Sequence, residues 1–282
     1  MSNHRFLETL LFPPPSLNSR KLARRISGKT ILITGASSGI GERTALLLSD
    51  YPVHLVLAGR NEEKLAALKQ EIETRTAKVS VVAGDLRQEE EMGRLLDHLH
   101  ALPHGVDIIV SNAGLSIHRT IQDSLDRFHD YSRTMAINYS APVRLLLSTI
   151  PLLKERGGHV VNVSTVNALL LPLPHWAAYQ ASKAAFDTWF RSAAPELAAL
   201  GIATTTVYLP LVRTPMIEPT AKYRTMPAMS ADRAARIICK SLYTKKRRYR
   251  PWWLFFGQTA SLLFRGLFER IAEHREKRRV RG

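Results

Sequence analysis

"TILITGASSGIG" occupies residues 30–41. Its first five residues read as a short buried strand, and a helical pattern begins at about residue 39. Between them lie Gly35, Gly39 and Gly41. Glycines there allow a tight turn and let backbone N–H groups approach an anion closely, and the following helix N-terminus adds partial positive charge. A strand, a glycine turn and a helix in that order suit the pyrophosphate of a dinucleotide, whereas three bare glycines would be only a turn. Gly35, Ser37, Ser38, Gly39, Ile40 and Gly41 are the residues this arrangement sets against such an anion.

The same alternation continues along the chain. Strand patterns fall at 30–34, 53–58, 79–83, 106–110, 159–164 and 202–208, and helical patterns at about 39–50, 61–75, 87–101, 124–154, 177–200 and 230–243. Val- and Ile-rich strands joined by crossover helices predict one parallel, doubly wound sheet of the Rossmann type, covered by helices on both faces. This domain is expected over residues 28–250, with an extension at 1–27 and an aromatic, then basic, helical tail at 251–282. Two Pro-containing segments interrupt the alternation, 168–176 and 209–230. Both follow strand C-terminal ends, where open parallel sheets bind ligands, and the second is the expected substrate loop.

The chain has 282 residues and a net charge of +16. Residues 240–282 hold thirteen Lys or Arg against three Glu, and residues 1–29 hold six against one. The body is therefore near neutral. That disfavours a nucleic-acid enzyme, whose basic cleft would lie on the body, and it favours ends that meet an anionic surface. A single cysteine, Cys239, excludes an internal disulfide framework and fits a reducing compartment. It falls on a helical pattern and reads as packed rather than reactive. Paired-Cys or H-E-x-x-H spacing is absent, so no metal is expected.

The second strand ends in Gly59-Arg60. An acidic residue at this place would hold the ribose hydroxyls of NAD, whereas a guanidinium receives a 2′-phosphate. The expected cofactor is therefore NADP(H), with Arg43 placed to assist. The bland alternative is a solvated loop arginine. In "AAYQASKAAF" (177–186), Tyr179 and Lys183 stand one helical turn apart on one face. An ammonium beside a phenol predicts a lowered phenol pKa and a proton donor active near neutral pH.

Taken with "GDLR" (84–87), "SNAG" (111–114), "MAINYSAPVRL" (135–145) and "VVNVST" (160–165), these motifs give a chain that resembles the short-chain dehydrogenase/reductase family over roughly 28–250. The resemblance implies that Asp85 and Leu86 border the adenine, that Asn112, Ala113 and Gly114 border the cofactor backbone, and that Val212 and Thr214 line the nicotinamide amide. It implies further that Asn138 holds a helix bend supporting a proton relay, that Tyr179 is the general acid/base, and that Lys183 binds the nicotinamide ribose. The family's substrate-orienting serine stands thirteen residues before the tyrosine, where this chain has Val166. An insertion of one residue within 166–176 would bring Thr165 into that place, with Ser164 as the alternative.

The stretches at 124–145 and 208–230 resemble the bacterial fatty acyl-CoA reductases of this family. That implies NADPH-dependent reduction of an acyl-CoA thioester to an aldehyde. The alternatives are an NADP-dependent dehydrogenase or ketoreductase of another hydrophobic alcohol, ketone, 3-oxoacyl ester or steroid, and a non-catalytic dinucleotide sensor. Family resemblance also implies a homo-oligomer. The expected location is the cytoplasm, with peripheral contact at the inner membrane surface an open alternative to ends that simply pack on the domain.

Overall fold

The computed structural model describes residues 2–218, 220, 223 and 225–281, with side chains from Leu7 to Arg279. Pro219, Ala221, Lys222 and Arg224 of the expected substrate loop lie outside the described residues, as does the Phe6 side chain. Six strands form the centre: β1 (Thr30–Thr34), β2 (His54–Gly59), β3 (Lys78–Ala83), β4 (Ile108–Ser111), β5 (His159–Thr165) and β6 (Ala203–Leu209). A two-residue pair, β7 (Val212–Arg213) with β8 (Met229–Ser230), bridges the base of the 209–230 segment. A last strand, β9 (Arg248–Tyr249), joins the main sheet on β6, giving the all-parallel order β3-β2-β1-β4-β5-β6-β9.

The strands' alternation sorts their side chains onto two cores. Ile31 and Ile33 face one side with Leu55 and Leu57. There they meet α3 (Gly39–Leu48), α4 (Glu62–Glu73) and α9 (Ala231–Thr244). Leu32 and Val56 face the other side, against α5 (Glu89–Ala101), α7 (Ala141–Arg156) and α8 (Ala177–Ala199). Chain order reverses between β1 and β4, so the crevice at the carboxyl ends of these strands is the topological switch point.

Two expectations are corrected. The helical pattern at 124–154 is broken: α6 (Phe128–Met135) passes through one π-helical turn at Ala136–Ser140 before α7 resumes the α spacing. The N-terminal extension is not simply a basic arm. It forms α1 (Ser2–Leu11) and α2 (Ser19–Ile26), and α2 packs with Leu22 and Ile26 fully buried in the first core. Residues beyond β9 form α10 (Leu254–Leu263) and α11 (Arg265–Arg281), and Leu254 anchors α10 in a small cluster with Val166 and Tyr208.

Candidate active site

The glycine turn is held by its neighbours. Gly35 and Gly39 take φ of +66° and +60°, a region in which a Cβ clashes with the backbone. A Cβ on Gly41 would lie 2.3 Å from the Gly35 carbonyl oxygen, so only glycine lets the first turn of α3 come this close. Thr34, at the end of β1, accepts from the backbone N–H groups of Asn112 and Ala113, each at 3.0 Å. Asn112 in turn donates its side-chain amide to the carbonyls of Thr34 and Gly35 at 3.0 and 3.2 Å. The turn after β1 and the loop after β4 are thereby one rigid unit. Thr34 is a site residue that the motif reading passed over, although it stands directly before the glycine turn.

The sides of this crevice also come from strand ends. A Cβ on Gly59 would meet the Ser37 hydroxyl at 3.1 Å, and Arg60, the next residue, is exposed beside the turn. Asp85 follows β3 and is ion-paired with Arg87, whose Nε donates to it at 2.9 Å. That bond holds the Asp85 carboxyl below its usual pKa, and the Arg60 charge adds to the effect. Leu86 is buried in the second core, and with Thr34 and Ala113 it lines a small cavity beneath the crevice. Thr214 lies over the turn, its methyl 2.9 Å from where a Gly39 Cβ would stand, and Val212 is buried in β7. Arg43 is drawn away to Asp232 of α9 at 3.3 Å, which leaves Arg60 as the guanidinium of this pair beside the turn. The glycine cradle and this ring of residues fit a dinucleotide.

Asn138 sits in the π-helical turn and explains it. Its Nδ2 donates to the Leu115 carbonyl and to the Ser182 hydroxyl, both at 2.9 Å, and its Oδ1 accepts from Leu115 N–H at 2.9 Å. Three hydrogen bonds to two residues outside its helix hold a buried amide, and the widened turn lets it reach them. Gly114 makes room for this junction: a Cβ there would lie 3.0 Å from Asn138 Oδ1 and 3.4 Å from Lys183 Nζ. Ser182 lay inside the quoted tyrosine motif, but its role needs the fold to be seen.

Tyr179 and Lys183 rise from the first turns of α8 beside these residues. The Lys183 ammonium donates to the Val163 carbonyl of β5 at 3.2 Å, and burial lowers its pKa to about 8. The expectation of a depressed Tyr179 pKa is corrected in this state. Burial raises it, and a hydrogen bond with the Thr165 hydroxyl opposes that rise. The helical spacing sets Lys183 beside the tyrosine, but it does not aim the ammonium at the phenol. Thr165 also accepts from Asn167 N–H at 3.3 Å, which leaves its own proton to donate to the phenol. Ser164, one residue earlier and so on the other face of β5, is buried, and its hydroxyl has no hydrogen-bond partner among the described residues.

Sequence reasoning missed an aromatic wall. Trp176 lies 5.5 Å from the Tyr179 ring and stacks on Tyr223 at 5.8 Å, and His118 meets Trp176 edge-on at 5.0 Å. Burial, with Tyr179 nearby, pushes the Tyr223 phenol up to about 12, so it remains a neutral donor. Cys239 is remote from this wall, fully buried in α9, and burial holds its thiol protonated with a pKa of about 12.

The short chain dehydrogenase family matches residues 29–225. The chain is a short-chain dehydrogenase/reductase, and so an oxidoreductase. It is similar to a fatty acyl-CoA reductase of Acinetobacter baylyi, at 38% identity over 240 residues, covering 85% of this chain and 80% of that one. A fatty acyl-CoA reductase of Mycobacterium tuberculosis is 37% identical over 227 residues, covering 80% and 77%. Among solved structures, the L-sorbose reductase of Gluconobacter frateurii, complexed with NADPH and L-sorbose, superposes with a TM-score of 0.71 at 26% identity, covering 78% of this chain and 91% of that one. A short-chain dehydrogenase of Sphingobium yanoikuyae, in complex with NADPH, has the same TM-score at 24% identity, covering 78% and 86%, and speaks for the fold alone.

Proposed function

We propose that this oxidoreductase reduces a fatty acyl-CoA thioester to the aldehyde with NADPH. The observation that carries the chemistry is the convergence of Tyr179, Thr165, Lys183 and Asn138 at the carboxyl end of β5, beside the glycine turn. What favours a thioester is the likeness to two fatty acyl-CoA reductases over at least 80% of this chain.

NADPH, when bound, supplies a hydride to the thioester carbonyl carbon. Gly35, Ser37, Ser38, Gly39, Ile40 and Gly41 hold its pyrophosphate, and Arg60 receives the 2′-phosphate. Asp85 and Leu86 border the adenine, Asn112, Ala113 and Gly114 the cofactor backbone, and Val212 and Thr214 the nicotinamide amide. Lys183 binds the nicotinamide ribose. Thr165 and Tyr179 donate to the carbonyl oxygen as it gains negative charge, and Tyr179 gives it a proton. Asn138 fixes the π-helical turn against Ser182 and Leu115, and the resemblance implies that this bend supports the proton relay to Tyr179. Collapse of the resulting hemithioacetal expels the thiol, leaving an aldehyde and free CoA. No enzyme cysteine takes part, in keeping with the buried position of Cys239.

The same constellation would serve an NADP-dependent reductase of another hydrophobic carbonyl compound. Thiol release separates the two. NADPH oxidation is followed against acyl-CoA esters of increasing chain length, with free thiol titrated in parallel. Equal amounts of NADP⁺ and thiol in the first turnover support the thioester reading. Oxidation of NADPH with ketones or aldehydes, and none with any acyl-CoA, sinks it. The reading includes a homo-oligomer, as the family resemblance implies, acting in the cytoplasm or in peripheral contact with the inner membrane surface.

A further inference from the structure

The two ends of the chain meet on the surface. The Trp252 indole N–H donates to the Leu10 carbonyl of α1 at 3.1 Å, and Trp252 packs edge-on against Phe256 of α10. From this junction along α10 and into α11 run large apolar side chains that the fold leaves in solvent. Phe256 is 63% exposed and Leu262 83%, and Leu10, Phe264 and Phe268 are also exposed. A protein stable by itself rarely shows so concentrated an apolar surface without a partner for it.

Two contacts fix where this surface stands. Leu254 is buried on Val166 and Tyr208, and Leu170 packs where a Cβ on Gly257 would be, so α10 lies on the loop that leads to Trp176 and Tyr179. Further on, Glu276 and Arg279 of α11 both reach the His175 imidazole, at 3.0 and 2.8 Å. His175 holds a left-handed backbone, with φ of 70°, in that same loop. The C-terminal helices therefore stand on the loop that leads into Trp176 and the start of α8.

From these contacts and the local charge we propose that α1, α10 and α11 together form a docking face for an anionic lipid bilayer. It deepens the proposed function by naming the surface at which a water-insoluble acyl chain would be handled, yet lipid binding can be measured with no substrate present. Charge chooses the occupant. Arg250 donates to Gln258 of α10 at 3.1 Å, and α11 carries more basic than acidic side chains. A second copy of such a face would repel it, whereas phosphatidylglycerol would neutralise it. Aromatic side chains suit the headgroup boundary, and each basic side chain near an anionic leaflet strengthens binding by about fivefold. No helix among the described residues is long and apolar enough to cross a membrane, so the contact is peripheral.

The test is flotation of the full-length protein with vesicles containing phosphatidylglycerol and with vesicles of phosphatidylcholine alone. We expect binding to the first only, weakened by added salt. Leu262→Ser with Phe264→Ser should lower binding by roughly tenfold or more, with the melting temperature and NADPH affinity unchanged. Full-length protein that stays unbound at low salt overturns the proposal, as does a double variant that floats like the parent. If the double variant changes the oligomeric state and not flotation, a second copy covers this face and the lipid reading is wrong.

Discussion

Replacing Thr165 by Val tests the geometry at its most specific point. The two side chains are nearly isosteric, so the change removes a hydroxyl and little volume from a position that is 8% exposed. Two losses follow. The Thr165 hydroxyl is what opposes the effect of burial on Tyr179, so the phenol, deprived of its donor, should titrate higher still. The developing oxyanion also loses one of two donors, and removal of one such donor costs about 10²–10³ in kcat. Because reduction needs Tyr179 protonated, the alkaline fall in kcat should move upward as the rate drops. Thr165 also accepts from Asn167 N–H, a cap whose loss costs about 1 kcal/mol and should lower the melting temperature slightly. Thr165→Ser retains the O–H and should restore the rate to within a few-fold. Ser164→Ala removes a buried hydroxyl that has no partner among the described residues, so both rate and stability should hold. The assay is steady-state NADPH oxidation across pH for the three variants. A Thr165→Val enzyme with near-normal kcat, or a larger loss in Ser164→Ala, refutes the assignment of the orienting hydroxyl.

Tyr179→Phe should bind NADPH nearly as the parent does and lose about 10² or more in kcat, measured by single-turnover oxidation. Arg60→Ala should weaken NADPH binding by about 1.5–3 kcal/mol and spare NADH, because only the 2′-phosphate loses its partner; equal losses in a titration with both cofactors would make Arg60 a support of the loop. The Lys183 ammonium has its pKa lowered to about 8 by burial, so above that pH the lysine is increasingly neutral. NADPH affinity should therefore fall as pH rises through about 8, and binding there should take up a proton, visible as buffer-dependent heat in calorimetry. Burial likewise lowers the His159 pKa from 6.5 to about 3, where its Nε2 contacts the Thr205 hydroxyl at 2.9 Å. The unfolded chain thus binds the extra proton below about pH 6.5, and stability present above that pH is lost toward pH 3 at about 1.4 kcal/mol per unit. Urea melts of the parent and of His159→Gln should differ in acid sensitivity by this slope.

The sheet was legible because its evidence is local. Each strand needs only a run such as "TILIT", and the Ile31, Leu32, Ile33 alternation reappears as the two cores. The glycine turn was legible for the same reason, since Gly35, Gly39 and Gly41 are required by their own backbone and by each other. Resemblance took the reading further, marking Asn138 as the place of a helix bend before any geometry was available. Periodicity alone could not. "MAINYS" reads as ordinary helix, and its wider turn is held by Leu115 and Ser182, residues 23 and 44 positions away. Charge misled at α2, where four basic residues concealed the pair Leu22 and Ile26, whose i,i+4 spacing is a narrow but sufficient buried stripe.

The Tyr179–Lys183 spacing shows how far a local rule reaches. It places two side chains on one helix face, and both stand there. It does not determine the carbonyl to which a flexible ammonium turns, and β5 supplies Val163. Nor does it give the burial of the phenol, which decides the direction of its shift. The partner that opposes this shift, Thr165, ends a strand fourteen residues earlier in the chain, and the ring of Trp176 brings Tyr223 from a loop after β6. A cationic side chain near a phenol is therefore a statement about placement, and its effect on proton affinity follows only when burial and competing acceptors are counted. This makes the cofactor-free pKa of Tyr179 the quantity that separates the two levels of reasoning. An ultraviolet difference titration of the parent against Tyr179→Phe should place that phenol above the ordinary tyrosine value, and Thr165→Val should move it higher still. A Tyr179 phenol that titrates well below the ordinary value in the cofactor-free protein would mean that the ammonium outweighs burial, and that the simpler reading from spacing was right.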